Sequence, residues 1–280
     1  MIFLSLFVIY PMLYNFYISL FKWKVVRIES FTGLDNYFKL LGNTQFHRAF
    51  INNVIWILIH VPTTTILGLL LAVLLKRVKG SYIIKSIIFL GMVIPQIVVG
   101  IMLLFMFDSD AGVINGLLRA LNGIFTSLGM TELSFPIRSW TAYPDTALPA
   151  LIIGSIWIWT GFAVVVYSAG LEGIPKDLYD AAEVDGASPL KTFWHITLPM
   201  LKPATIVVVT MTLIWVLKIF DIVYIATRGG PGGATNVMAY MMYEQGFVFY
   251  KWGIAAAIAT IFTVIILAFS IYLVRAMVRR

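Results

Sequence analysis

Hydrophobic positions along this chain fall in long uninterrupted runs rather than in alternation. Apolar stretches cover roughly residues 2 to 22, 51 to 75, 82 to 107, 147 to 170, 201 to 226 and 253 to 274. Each is long enough, as a helix rising ~1.5 Å per residue, to cross a ~30 Å hydrocarbon layer. Runs such as ATIVVVTMTLIWVL lack the in-out alternation of a membrane barrel, and open strands would leave backbone edges unsatisfied in lipid. The pattern predicts an all-α, polytopic membrane protein with six transmembrane helices, residues 1–280 forming a single transmembrane domain.

Composition agrees. The chain is 60% hydrophobic and 12% charged, against a charged fraction of ~25% in soluble domains. A net charge of +7 raises nucleic acid as a partner, but the densest basic cluster, Lys76, Arg77 and Lys79, adjoins an apolar run and reads as membrane-flanking charge. No nucleic-acid partner is expected. The absence of cysteine excludes disulfides and thiolate metal sites. The first run is too long for a cleavable leader. Since Met1 opens almost directly into it, the natural N-terminus is expected to be shortened or to begin unusually late.

Basic residues set the orientation. With both termini inside, the inner side holds Lys76, Arg77, Lys79, Lys85, Lys176, Lys191, Lys202, Arg275, Arg279 and Arg280, and nine more lie in longer outer connectors. Density decides for cytoplasmic termini: four fall in the short 76–85 connector and three in the RAMVRR tail. The outer connectors are then 23–50, 108–146 and 227–252. FTGLDNYFKLL, with Asp35 or Asn36 as N-cap, and the aromatic-rich NVMAYMMYEQGFVFYKW both read as interfacial helices.

The inner connector 171–199 is built differently. Pro175 suits a first helical position, Asp177 a first turn, and Gly186 a left-handed cap. Ser188 and Pro189 restart a second short helix to about Ile196, which must end before Pro199. Leu178, Ala181 and Ala182 share a face that admits a close partner, with Phe193, Trp194 and Ile196 as apolar anchors. Five acids, Glu172, Asp177, Asp180, Glu183 and Asp185, oppose rest on an anionic leaflet and favour docking to a protein.

Asp180, Ala181, Ala182, Asp185, Gly186, Ala187, Phe193, Ile196, Leu198 and Pro199 match the EAA motif of ABC importer permeases, with Asp180 in place of the usual Glu. NYFKLL before the second span, VIPQ in the third and TRGGPGGAT after the fifth extend the match over nearly the whole chain, which resembles the carbohydrate-uptake permeases of the maltose and glycerol-3-phosphate type. The resemblance implies a type I importer permease in a bacterial-type plasma (inner) membrane. Its implied partners are a second homologous permease, two ABC ATPase subunits docked on the 171–199 coupling segment, an extracytoplasmic solute-binding protein and a carbohydrate substrate. It implies no cofactor in this chain, ATP and Mg being held by the ATPase. Consistent with that, no G-x-x-x-x-G-K-[ST] is present, and GGPGGAT lacks the lysine.

Lys218 and Asp221, three apart in the fifth span, are the costliest polar groups within a run and read as pathway groups, as a pair within the helix, or, for Lys218, as a side chain that snorkels outward. Trp215 and Tyr224, with Trp157, Trp159 and Tyr167 of the fourth span, offer the flat rings and hydroxyls that a sugar needs, although Trp157 and Trp159 also suit interface anchors. Gln96 after Pro95 reads as part of a proline kink. The three histidines, His47, His60 and His195, have no partner at metal spacing, and no catalytic constellation is visible. The alternative class is a secondary, ion-coupled transporter with Lys218 and Asp221 as its relay.

Overall fold

A computed structural model of the chain describes residues 1–278 other than Val26, Arg77, Thr131 and Leu133. Arg77, Arg279 and Arg280, counted above for orientation, lie outside the described residues. The elements run α1 (Ile2–Ser19), β1 (Phe21–Lys24), β2 (Arg27–Phe31), α2 (Asp35–Leu41), α3 (Thr44–Leu75), α4 (Ser81–Val93), α5 (Gln96–Met106), α6 (Val113–Ser127), α7 (Ala147–Glu172), α8 (Lys176–Val184), α9 (Pro189–Met200), α10 (Lys202–Leu217), α11 (Asp221–Ala226), α12 (Met238–Tyr243) and α13 (Trp252–Val278). Helices α1, α3, α7 and α13 are each long and apolar enough to span alone, and the bent pairs α4 with α5 and α9 with α10 raise the number of candidate spans to as many as six, α10 being the apolar part of the second pair.

The chain gathers into two compact units. One comprises Met1–Ile55, Gln96–Leu151 and Leu217–Arg280, the other Trp56–Pro95 and Ile152–Val216. In the first, α1 packs along α13. Asn15 Nδ2 fixes that pairing by donating to the Ala256 carbonyl and to Thr260 Oγ1, both at 3.1 Å, a strong constraint where water is scarce. In the second, α4 and α7 meet at Gly161. A Cβ there would lie 2.5 Å from the Ile88 carbonyl oxygen and 2.9 Å from Phe89 Cα, so only glycine permits the approach. Ala72, Ala163, Tyr167, Leu171, Leu201 and Val208 form the buried core of this unit.

Several expectations are corrected. The all-α class holds apart from the antiparallel β1–β2 hairpin, which takes in Phe21 and Lys22, the last residues of the expected first span, because α1 ends at Ser19. The second span begins at Thr44 rather than 51, because Asn43 Oδ1 accepts the amide hydrogens of Gln45 (2.8 Å) and Phe46 (3.2 Å) and starts the helix early. Neither Asp35 nor Asn36 caps α2: Leu34 holds that position, and buried Asn36 instead donates to the Ser19 (2.8 Å) and Phe21 (3.0 Å) carbonyls, tying α2 to the end of α1. The third span is broken rather than kinked. Ile94 is extended, as the residue before a proline prefers to be, and α5 starts afresh at Gln96. The 238–248 segment is not a purely interfacial helix, since Met238, Ala239, Tyr240 and Met241 are buried.

Candidate coupling segment and translocation pathway

The 176–200 segment is a helix, a glycine turn and a second helix. Helix α8 ends in two capping bonds, Gly186 N to Glu183 O at 3.0 Å and Ala187 N to Ala182 O at 2.9 Å. This paired pattern requires a left-handed residue just past the cap, and Gly186 supplies it at φ +70°. Ser188 then caps α9, its Oγ accepting from Lys191 N at 3.4 Å, and Pro189 occupies the first turn. Pro175 precedes α8 at its N-cap rather than inside it. The second helix does not stop before Pro199. A π turn over Phe193–Thr197 resets the hydrogen-bond register and the helix runs through Pro199 to Met200, with a 63° bend leading into α10.

Side-chain placement sorts the sequence candidates. Asp180, Ala181, Asp185, Gly186 and Pro199 are exposed, whereas Ala187, Phe193, Ile196 and Leu198 are half-buried. Ala182 is buried, so the Leu178, Ala181 and Ala182 face is divided: Ala182 turns inward and the other two stay outside. The apolar groups most open to a partner are Val184 (88% exposed), Leu190 (69%) and Trp194 (58%). All five acids are exposed as well. His195 Nδ1 donates to the Lys191 carbonyl at 3.0 Å, within its own helix. Behind the segment, a cleft of about 500 Å³ is lined by Lys76, Tyr179, Glu183, Thr192, Phe193 and Thr197. Lys76 Nζ sits 4.7 Å over the Tyr179 ring, and Tyr179 Oη bonds Thr197 Oγ1 at 3.2 Å, bracing α8 against α9.

Trp159 and Trp215 come together, ring centroids 5.4 Å apart. His60, set aside in the sequence reading, packs 5.2 Å from Trp215. Its Nδ1 bonds Ser155 Oγ at 2.9 Å, and the same oxygen accepts from Trp56 Nε1 at 3.2 Å. His60 Nε2, Thr64 Oγ1 and Trp159 Nε1 are buried without a hydrogen-bond partner among the described residues, polar atoms whose burial is costly unless something bonds them. The signal for this site was the spacing of Trp56, His60 and Thr64, one helix face at i, i+4 and i+8. Trp157 is not part of it: 44% exposed, it points outward from α7. Tyr167 is fully buried in the core, its Oη bonded to Thr205 Oγ1 at 3.2 Å.

Lys218 and Asp221 do not share a helix face. Helix α10 ends at Leu217, Phe220 leaves helical geometry at φ −141° and ψ −57°, and α11 begins at Asp221. A cation just past one C-terminus and a carboxylate in the next first turn each complement a helix dipole, which accounts for both charges at the break. No ion pair joins them among the described residues, and Lys218 is exposed. Tyr224 belongs to a separate aromatic cluster with Phe220 (5.3 Å), Tyr240 (6.2 Å) and Tyr243 (5.3 Å).

The glycine-rich 227–236 loop, expected as a turn, is an anchored one. Arg48 Nη1 donates to the Gly232 carbonyl (2.6 Å), Asn52 Nδ2 to the Ala234 (2.9 Å) and Asn236 (2.8 Å) carbonyls, and Met238 N donates to Asn53 Oδ1 (2.9 Å). Asn52 and Asn53 are both buried, and sequence reasoning missed them as loop anchors. Asn52→Leu is expected to free two carbonyls and loosen this loop by about 1–3 kcal/mol, visible as faster amide exchange over 229–236.

Four to six candidate spans, with an exposed, acid-rich helix-turn-helix following α7, define a multi-pass membrane protein. The chain belongs to the family described as binding-protein-dependent transport system inner membrane component, whose model matches residues 64–280. It is 45% identical to a probable ABC transporter permease of Pyrococcus horikoshii, over 96% of this chain and 92% of that one. It is 34% identical to the trehalose/maltose transport system permease protein MalF of Thermococcus litoralis, over 95% and 86% of the two chains. A bacterial ABC transporter involved in the import of alginate shares the fold, with a TM-score of 0.80 at 21% identity, over 100% of this chain and 93% of that one. The family membership decides for an importer permease over the ion-coupled carrier.

Proposed function

We propose that this chain forms half of the translocation pathway of an ATP-driven importer for a sugar, an oligosaccharide or a related glycosylated polyol. A second homologous permease supplies the other half, a solute-binding protein delivers substrate from outside, and two ATPase subunits hold the ATP and Mg. The 176–200 segment is their seat, with both termini on the same, cytoplasmic side. The carrying observation is the exposure of Val184, Leu190 and Trp194, together with that of Asp177, Asp180, Glu183 and Asp185, on that segment, since large apolar anchors accompanied by acids suit a protein partner rather than a lipid surface. Lys76, Lys79, Lys85, Lys176, Lys191 and Lys202 support a cytoplasmic placement of this segment. The substrate class draws on relatives whose names specify trehalose/maltose and xylose/arabinose transport.

Within the spans, Trp159 and Trp215 supply stacking faces beside His60 Nε2, Thr64 Oγ1 and Trp159 Nε1, which have no hydrogen-bond partner among the described residues, a mixture suited to a hydroxylated ring. Trp159→Ala or Trp215→Ala is expected to lower uptake by about tenfold with assembly intact, read as substrate-stimulated ATP hydrolysis in reconstituted complex. Unchanged uptake in both variants removes the pair from the path. Lys218→Ala and Asp221→Ala test the helix break in the same assay: transport falls while copurification with the partner subunits stays at the wild-type level, and full transport in both excludes a pathway role.

A further inference from the structure

The connector between α5 and α7 carries a helix of reversed polarity. In α6, Asn115, Arg119, Asn122 and Thr126 follow one another at i, i+4, i+7 and i+11; the first three bond the connector's own backbone, and Thr126 Oγ1 donates to the Asn122 carbonyl within the helix at 2.8 Å. Asn115 Nδ2 donates to the Asp108 (2.6 Å) and Arg138 (2.8 Å) carbonyls, Arg119 to those of Ser109 (2.6 Å) and Asp110 (3.1 Å), and Asn122 Nδ2 to that of Phe135 (2.9 Å). Asn122 Oδ1 in turn accepts from Phe135 N at 2.8 Å. The opposite side presents Val113, Leu117, Leu121, Ile124 and Leu128, all exposed, within about a quarter of the circumference at ~3.6 residues per turn. A helix in water buries its apolar stripe and exposes its polar one. This helix does the reverse, and its polar stripe is already satisfied.

At 15 residues it is about 22 Å long, too short to cross the ~30 Å core, so it cannot be a seventh span. Two neighbouring features identify what meets the stripe. The preceding helix α5 exposes Ile97, Ile101 and Phe105 at i, i+4 and i+8, an apolar row suited to lipid, and α5 ends only six residues, 107–112, before α6 begins. On the polar side, Trp140 Nε1 donates to Asn115 Oδ1 at 2.9 Å, and the Arg138 guanidinium lies 5.5 Å from the Trp140 ring and 5.0 Å from that of Tyr143. Such aromatic and basic groups settle at headgroup depth. Arg138 also bonds Asp145 at 2.6 Å, holding that carboxyl below its usual pKa.

We propose that α6 lies in the plane of the membrane, with its Val113-to-Leu128 stripe in the acyl-chain boundary and its Asn115-to-Asn122 stripe toward the connector. It is a surface anchor for that connector, made with lipid rather than with another protein.

The absence of native cysteine makes the test direct. Single cysteines at Leu117, Leu121 and Ile124, and at Gly116 and Gly123 on the flank, carry a nitroxide in the full chain in phosphatidylcholine nanodiscs. Collision rates with oxygen and with a water-soluble nickel chelate are then compared. The ratio of oxygen to nickel collisions is expected to be about fivefold or more higher at the stripe than at the flank, as for a helix sunk ~5–10 Å into the boundary. Equal ratios mean that the stripe faces water. Labels shielded from both reagents mean that protein covers it. Either result overturns the proposal.

Discussion

Gly186→Val is expected to bring ATP-driven transport to background while leaving all six spans inserted. The turn after α8 needs φ +70° at this residue, and a left-handed backbone costs an L-residue about 1–2 kcal/mol, more when it is β-branched. Nothing lies within 4 Å of a Cβ built there, so the penalty is conformational rather than a clash. The chain escapes it by abandoning the two capping bonds from Gly186 and Ala187, which swings α9 away from α8. A seat whose halves no longer hold their angle cannot pass a nucleotide-driven movement to the spans. The measurement is substrate-stimulated ATP hydrolysis and uptake in reconstituted complex, alongside copurification of the ATPase. Gly186→Asn, a residue that tolerates the left-handed region, should retain most of the activity. Wild-type coupling in the valine variant would remove the turn from the mechanism.

The second large effect lies in the membrane. Gly161→Leu is expected to prevent stable assembly, because its first side-chain carbon already overlaps the α4 backbone at Ile88 and Phe89. Backbone cannot rotate aside as a side chain can, so α4 and α7 must separate and lose their packing, at a cost of more than about 3 kcal/mol. Loss of folded protein on gel filtration, with a lower Tm for Gly161→Ala, is the expected result. A Leu variant with the native Tm would mean that the close approach is not a feature of the folded protein.

The spans and the coupling segment were legible in sequence for different reasons. Long apolar runs announce themselves by length alone, and the segment's turn was written in residues whose backbone chemistry is narrow, Gly186 and the Ser188–Pro189 pair. Breaks inside apolar runs were legible only in part: Pro95 marked a kink, but not that the helix stops and starts afresh there. Lys218 and Asp221 at i and i+3 mimic a pair on one helix face, whereas they are the separate dipole complements of two helix ends. Pro199 suggested a stop, but the π turn ahead of it let the helix pass, a change of register that residue identities do not encode strongly. The His60 site was hidden because its members, Trp56, Ser155, Trp159 and Trp215, come from three helices. Only the Trp56, His60 and Thr64 spacing was local. The stripe of α6, by contrast, is plain in the helical period of 113, 117, 121, 124 and 128, and a search confined to membrane-length runs passes over it.

The most direct test of the coupling role places a photo-activated crosslinking residue at Val184 or Leu190, the most exposed apolar positions of the 176–200 segment. Irradiation of the complete transporter in lipid should yield a covalent adduct with the ATPase subunit from both positions and none from Gly232 in the anchored 227–236 loop. Adducts to lipid alone at 184 and 190, or capture of the ATPase from 232, would contradict the seat assigned to it.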